Sequence, residues 1–221
     1  MRLLFRALIK FLLGLVLVGA MIFLPAGTLS YINGWLFISL LFVPIFFLGI
    51  ILFLKAPKLL EKRLDGKEKE KTQKGVVALS GLLFLVGFIV AGLDFRFGWS
   101  AIPTSCVVIA AVILIISYAL YAEVMRENAY LSRTIEVQEG QKVVDTGLYG
   151  IVRHPMYAVT IWLFLSIPVV LGSWWSLLCF LPYIPIIIIR IINEEKVLES
   201  GLEGYSEYKK RVKYRIIPFI W

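Results

Sequence analysis

The sequence predicts an all-α integral membrane protein, about six transmembrane helices in one bundle followed by a C-terminal helix. Three observations carry that reading. The 221 residues are 60% hydrophobic, with a mean hydropathy of +0.86, against about 45–50% apolar residues in soluble domains. The apolar residues fall in blocks close to the roughly 20 residues that a spanning helix needs. Lysine and arginine gather on alternate connectors, as they do when one face of the membrane retains the basic residues.

The blocks run over residues 8–24, 35–54, 75–93, 100–122, 155–171 and 174–192. The first follows Arg2, Arg6 and Lys10 and is bounded by Pro25-Ala26-Gly27. Signal peptides share that layout, but the proline beside the small residues and the early start at Leu8 favour an uncleaved first span. The fifth block carries Pro168, and the sixth carries Pro182 and Pro185. Each proline removes a helical hydrogen bond, so kinks are expected there, with neighbouring helices satisfying the freed carbonyls. Gly172-Ser173 separates these two blocks and predicts a tight antiparallel hairpin.

The net charge is +8. The basic residues cluster before span one, between spans two and three, between spans four and five, and after span six; Arg96 is the exception. Both termini are therefore expected on the cytoplasmic side. Trp35, Trp99, Trp174 and Trp175 fall at the opposite turns, where an interfacial aromatic belt belongs. Basic residues at helix ends argue against a nucleic-acid partner and for contact with membrane lipid headgroups. With one histidine and two cysteines inside apolar runs, no metal site is expected.

The Lys55–Lys74 stretch reads as a solvated connector holding a short amphipathic helix, and Thr134-Ile-Glu-Val-Gln138 alternates as a short extended segment would. Asp94 and Arg96 read as solvating an outer turn, and Glu123, Arg126 and Glu127 as structural pairs at the end of span four. Tyr205, Tyr208 and Val212 recur at helical spacing among charges and predict a surface helix. The closing Ile-Pro-Phe-Ile-Trp is too apolar for water and is expected to pack back on the bundle or the headgroup layer.

Two polar islands interrupt this apolar chain. The first, Gln141 to Tyr157, holds the lone histidine. Gly147 and Gly150 permit turns that other residues resist. Pro155 suits the first position of a helix, which places Arg153 and His154 just ahead of a helix N-terminus, a setting that attracts anions. Tyr149 and Tyr157 supply flat faces and hydroxyls for a heteroaromatic ring or a sulfonium. The second island is Arg190 with Glu194 and Glu195. Arg190 and Glu194 share one helix face, and Glu195 is turned by about 100°. An ionisable group at the end of an apolar helix is a functional candidate. The span-five and span-six hairpin returns the chain to the side it left, so the two islands are expected to meet.

The run Gly147-Leu-Tyr-Gly-Ile-Val-Arg-His-Pro-Met-Tyr157, then Arg190 with Glu194-Glu195, then Tyr205-Ser-Glu-Tyr208-Lys-Lys-Arg-Val resembles the isoprenylcysteine carboxyl methyltransferase family. The related phospholipid N-methyltransferases share the Arg-His-Pro and Glu-Glu elements. The resemblance covers the C-terminal 90 residues or so. It implies S-adenosyl-L-methionine as methyl donor, bound in a cytoplasmic loop region without a Rossmann domain; no glycine-rich strand-turn-helix signature is present. Carried over by motif, the cofactor contacts are Gln141, Lys142, Val143, Val144, Tyr149, His154, Pro155, Met156, Tyr157 and Glu194, and Arg190 is the catalytic residue set against the acceptor. Residues 1–130 then form four N-terminal spans, and residues 131–221 the catalytic region with its cofactor loop, helical hairpin and C-terminal cytoplasmic segment.

The expected function is methylation of a lipophilic small-molecule substrate, the carboxylate of a prenylcysteine-like or other lipid. A carboxylate is ionised near neutral pH, with a pKa of about 4, and needs an orienting cation, which Arg190 supplies. A lipid amine would first have to lose a proton to a base such as Glu194 or Glu195. A non-catalytic scaffold or transporter is the rival outside enzymology, since broken helices also occur in transporters. Neither an inverted repeat nor mid-membrane polar residues favour that rival.

Overall fold

A computed structural model of the chain describes residues 2–64, 71–131 and 137–221. Every regular element among them is helical. In order these are α1 (Arg2–Ala26), α2 (Ile32–Lys55), α3 (Pro57–Leu64), α4 (Lys71–Phe97), α5 (Thr104–Glu127), a 3-10 turn (Gly147–Gly150), α6 (Pro155–Val170), α7 (Trp174–Phe180), α8 (Tyr183–Gly201) and α9 (Tyr205–Arg211). The protein is an all-α integral membrane bundle. Among the described residues, five stretches are long and apolar enough to cross a membrane: α1, α2, the Lys74–Phe97 part of α4, α5, and α7 with α8 taken together. The fifth expected span is α6, whose 16 residues reach only about 24 Å at 1.5 Å each. Its start and end are fixed by Pro155 and by the Gly172-Ser173 turn.

The bundle buries its core between α1, α2, α4, α5, α6 and α7, around Ile22, Phe37, Leu114, Val170 and Phe180. Close approach depends on Gly87 of α4: a Cβ there would lie 2.2 Å from the Phe180 ring. Small residues that let helices approach are the usual currency of packing in lipid. The outer faces carry Leu17, Val43, Ile51, Ile109 and Ile116, all at least half exposed. Such a surface has no place in water and suits a hydrocarbon solvent. The expected break near Pro182 is real: α7 stops at Phe180 and α8 begins at Tyr183.

At one end of the bundle, Asp94 is not a solvated turn residue but is 2% exposed. It accepts hydrogen bonds from the Ser100 amide at 2.7 Å and the Ser100 hydroxyl at 2.6 Å, and from the Ser173 hydroxyl. Ser173 also caps α7 through the Ser176 amide at 2.9 Å. The carboxylate thus joins the α4–α5 turn to the α6–α7 turn, and its partners are serines that sequence spacing does not single out.

The polar islands lie at the other end, with α3, which takes a hydrogen bond from Lys10 onto the Leu64 carbonyl. The expected short helix in the Lys55–Lys74 connector is α3; residues 65–70, and residues 134–136 of the expected extended segment, lie outside the described ones. The chain after α9 returns to the islands: the Arg153 amide donates to the Tyr214 carbonyl at 2.9 Å and the His154 amide to the Arg215 carbonyl at 2.8 Å. The amides of Arg215, Ile216 and Ile217 converge on the Trp221 carbonyl at 2.9–3.1 Å. Ile216 is buried beside Trp221, whereas Phe219 and Ile220 project outward.

Candidate cofactor cleft

The Gly147–Gly150 turn is clamped by α5. Gly147 has φ +52°, and a Cβ there would lie 1.4 Å from a Glu127 carboxylate oxygen, so only glycine fits. The same carboxylate accepts the Leu148 amide at 3.0 Å. Tyr149, carried by this turn, is held twice. Asn128 Nδ2 donates to its hydroxyl at 3.0 Å, and the Tyr208 hydroxyl donates to its carbonyl at 2.7 Å.

Behind the turn sits a buried ionic cluster centred on Glu195, 3% exposed. Arg153 Nε donates to its Oε1 at 2.8 Å, His154 Nε2 is 3.3 Å from the same oxygen, and Arg215 Nε donates to Oε2 at 3.0 Å. Arg153 Nη1 also donates to the Val212 carbonyl at 2.6 Å. A carboxylate with partners on both oxygens is the arrangement that makes burial of charge tolerable. Arg153, read from sequence as a lure for a ligand anion, is instead committed to the protein's own carboxylate.

In front of this cluster lies a second one. Arg190 Nε donates to the Tyr157 hydroxyl at 2.9 Å, and that hydroxyl in turn donates to Glu194. A tyrosine 33 residues before Arg190 thus links Arg190 to Glu194, the pair that i, i+4 spacing sets on one face. The two islands do come together, Arg153 and His154 through Glu195 and Tyr157 through Glu194.

Between these groups opens a narrow cleft. Gln141, Lys142, Val143, Val144, Tyr149, His154, Met156, Tyr157, Arg190 and Glu194 all line it. Pro155 does not; it opens α6 and faces an apolar groove against α5. Sequence reading missed Asn128, Leu198, Leu202, Tyr205 and Tyr208 in the lining. Leu198 and Leu202 continue the Glu194 face at i+4 and i+8, a signal that was available. Tyr205 and Tyr208 looked like surface-helix residues, yet they are 4% and 2% exposed.

The cleft is two-sided in chemistry. Arg190, Glu194, His154 and the tyrosine hydroxyls make one part polar, while Val143, Leu198 and Leu202 make another apolar. Burial pushes the phenols of Tyr205 and Tyr208 up, so both stay protonated. The Tyr205 hydroxyl is buried without a hydrogen-bond partner among the described residues. An unsatisfied buried hydroxyl in a cleft wall fits a ligand that brings its own polar atom. The residues present therefore suit a molecule flat and weakly polar in one portion and charged in the other.

Comparison with known proteins adds to this geometry. An alignment of 99 positions, covering 40% of this chain, is 30% identical to Delta(14)-sterol reductase of Mus musculus, of which it spans 22%. Residues 104–203, just under half of the chain, match the family model of the phospholipid methyltransferases, which is related to the family that the motifs resemble.

Proposed function

We propose that the cleft binds S-adenosyl-L-methionine and that the protein methylates a lipophilic acceptor delivered from the bilayer, a prenylcysteine-like or other lipid carboxylate. The observation that carries this is the Tyr157 hydroxyl held between Arg190 and Glu194 at the polar part of the cleft. It sets an acceptor-orienting cation and a donor-binding carboxylate within one hydrogen-bonded unit. When bound, the cofactor supplies an electrophilic methyl group on a cationic sulfur. Alignment and exclusion of water do most of the remaining work in such a displacement.

In this reading Glu194 faces the positive groups of the methyl donor, and Arg190 orients the acceptor carboxylate. His154 is held by Glu195 and keeps the wall of the cleft in place. Tyr149, pinned by Asn128 and Tyr208, offers a ring face and hydroxyl. The apolar groove between α2, α3 and α5 shares Tyr130 with the cleft and carries Lys55 and Lys58, which supports approach of a lipid acceptor from the side. The concentration of Lys and Arg at the cleft end supports a cytoplasmic site and cytoplasmic termini. Residues 1–130 then serve as the membrane platform and residues 131–221 as the catalytic region.

A second reading, methylation of a lipid amine, is favoured by the phospholipid methyltransferase match. Glu194, reached through Tyr157, would then take the amine proton. The experiment that separates these is calorimetric titration of detergent-purified protein with S-adenosyl-L-methionine, followed by transfer of labelled methyl to prenylcysteine, lipid-acid and lipid-amine acceptors. Absence of binding refutes the enzyme reading, and labelling of amines alone replaces the carboxylate with the amine.

A further inference from the structure

Tyr205 opens α9 and is 4% exposed. Its ring packs with Leu202, Tyr208 and Val212 and against Val143 and Leu198. Each of the other tyrosine hydroxyls around the core of the cleft is engaged: Tyr149 by Asn128, Tyr157 by Arg190 and Glu194, and Tyr208 on the Tyr149 carbonyl. Tyr205 Oη has no partner among the described residues. Burial, reinforced by the Glu195 and Glu194 carboxylates, keeps its proton on. The hydroxyl thus stands between the charged stretch of α8 and the apolar wall formed by Leu198, one turn further along the same helix, and Leu202, which caps its end.

We propose that Tyr205 is a ligand-binding residue, whose hydroxyl donates a hydrogen bond to a polar atom of the nucleoside portion of the methyl donor. The inference rests on the methyl-donor reading and deepens it by assigning a contact. The charged tail of such a ligand has Arg190, Glu194 and Tyr157 to meet it. A neutral donor bordered by Val143, Leu198 and Leu202 matches instead the part that is flat and weakly polar.

The test uses full-length Tyr205→Phe in detergent, with S-adenosylhomocysteine and adenosine as probes. Calorimetry, directly or by competition, gives both affinities, and a melt without ligand gives stability. Removing an unsatisfied buried hydroxyl should raise the ligand-free melting temperature by about a few degrees. Losing one ligand hydrogen bond should weaken both probes by the same factor, about 5–10-fold. Unchanged affinities for both probes, or weakening of S-adenosylhomocysteine without adenosine, overturn the assignment. So does a lower ligand-free melting temperature, which means that the hydroxyl already has a partner. A wild-type protein that binds neither probe overturns the methyl-donor reading itself and the assignment with it.

Discussion

Arg153 and Glu195 are 42 positions apart in sequence, and their side chains meet at 2.8 Å, both under 5% exposed. That ion pair joins α8 to the segment leading into α6 and forms the rear wall of the cleft. Removing one partner of a buried pair costs about 3–5 kcal/mol, because the other charge is left uncompensated. Glu195→Ala leaves two guanidiniums and an imidazole facing one another. The expected result is a large fall in melting temperature or loss of a monodisperse species on size exclusion. A variant as stable as wild type would show that Glu195 is not the structural hub.

The front cluster should behave differently. Arg190→Ala is expected to leave cofactor affinity within about threefold and to reduce turnover at least about tenfold, a loss of acceptor orientation. Glu194→Ala and His154→Ala are expected to abolish measurable cofactor binding. Tyr157→Phe removes the shared hydroxyl and should resemble Arg190→Ala in turnover. Titration calorimetry paired with methyl-transfer rates checks this division, and equal loss of binding in Arg190→Ala contradicts it.

Gly147→Ala should disturb the Tyr149 turn by placing a methyl 1.4 Å from Glu127 Oε1, on a backbone with φ +52°. Strain of this kind costs on the order of 1–3 kcal/mol. The double variant Gly147→Ala/Glu127→Ala removes the clash but not the backbone cost, so part of the stability should return. A double-mutant cycle built on thermal melts reads the coupling; additive losses would mean that the two residues do not touch.

Asp94→Asn tests the opposite end of the bundle. It retains size but weakens three hydrogen bonds to Ser100 and Ser173, at an expected cost of about 1–3 kcal/mol. Cofactor affinity should not change, since the site is at the far end. Loss of affinity equal to that of Glu194→Ala would point to coupling along the helices.

Much of this architecture is legible in sequence because lipid imposes simple rules. The blocks at 35–54 and 155–171 match α2 and α6 to within three residues, since hydrophobic length and the Pro155 and Gly172 punctuation fix them. That the two polar islands meet follows from a hairpin that brings the chain back. The difference between Glu194 and Glu195 is not legible. Both lie on the same helix, and Glu195 is the buried one because Arg153, His154 and the returning Arg215 close over it from distant parts of the chain. Asp94 escapes for the same reason, because its burial depends on a serine 79 positions away.

The backbone pairing of Arg153 and His154 with Tyr214 and Arg215 has a bearing on biogenesis. The guanidinium that covers Glu195 and the carbonyls that receive the Arg153 and His154 amides follow every described membrane helix along the chain. A chain released at residue 210 would hold those helices yet lack this cover, and would be integrated but inactive.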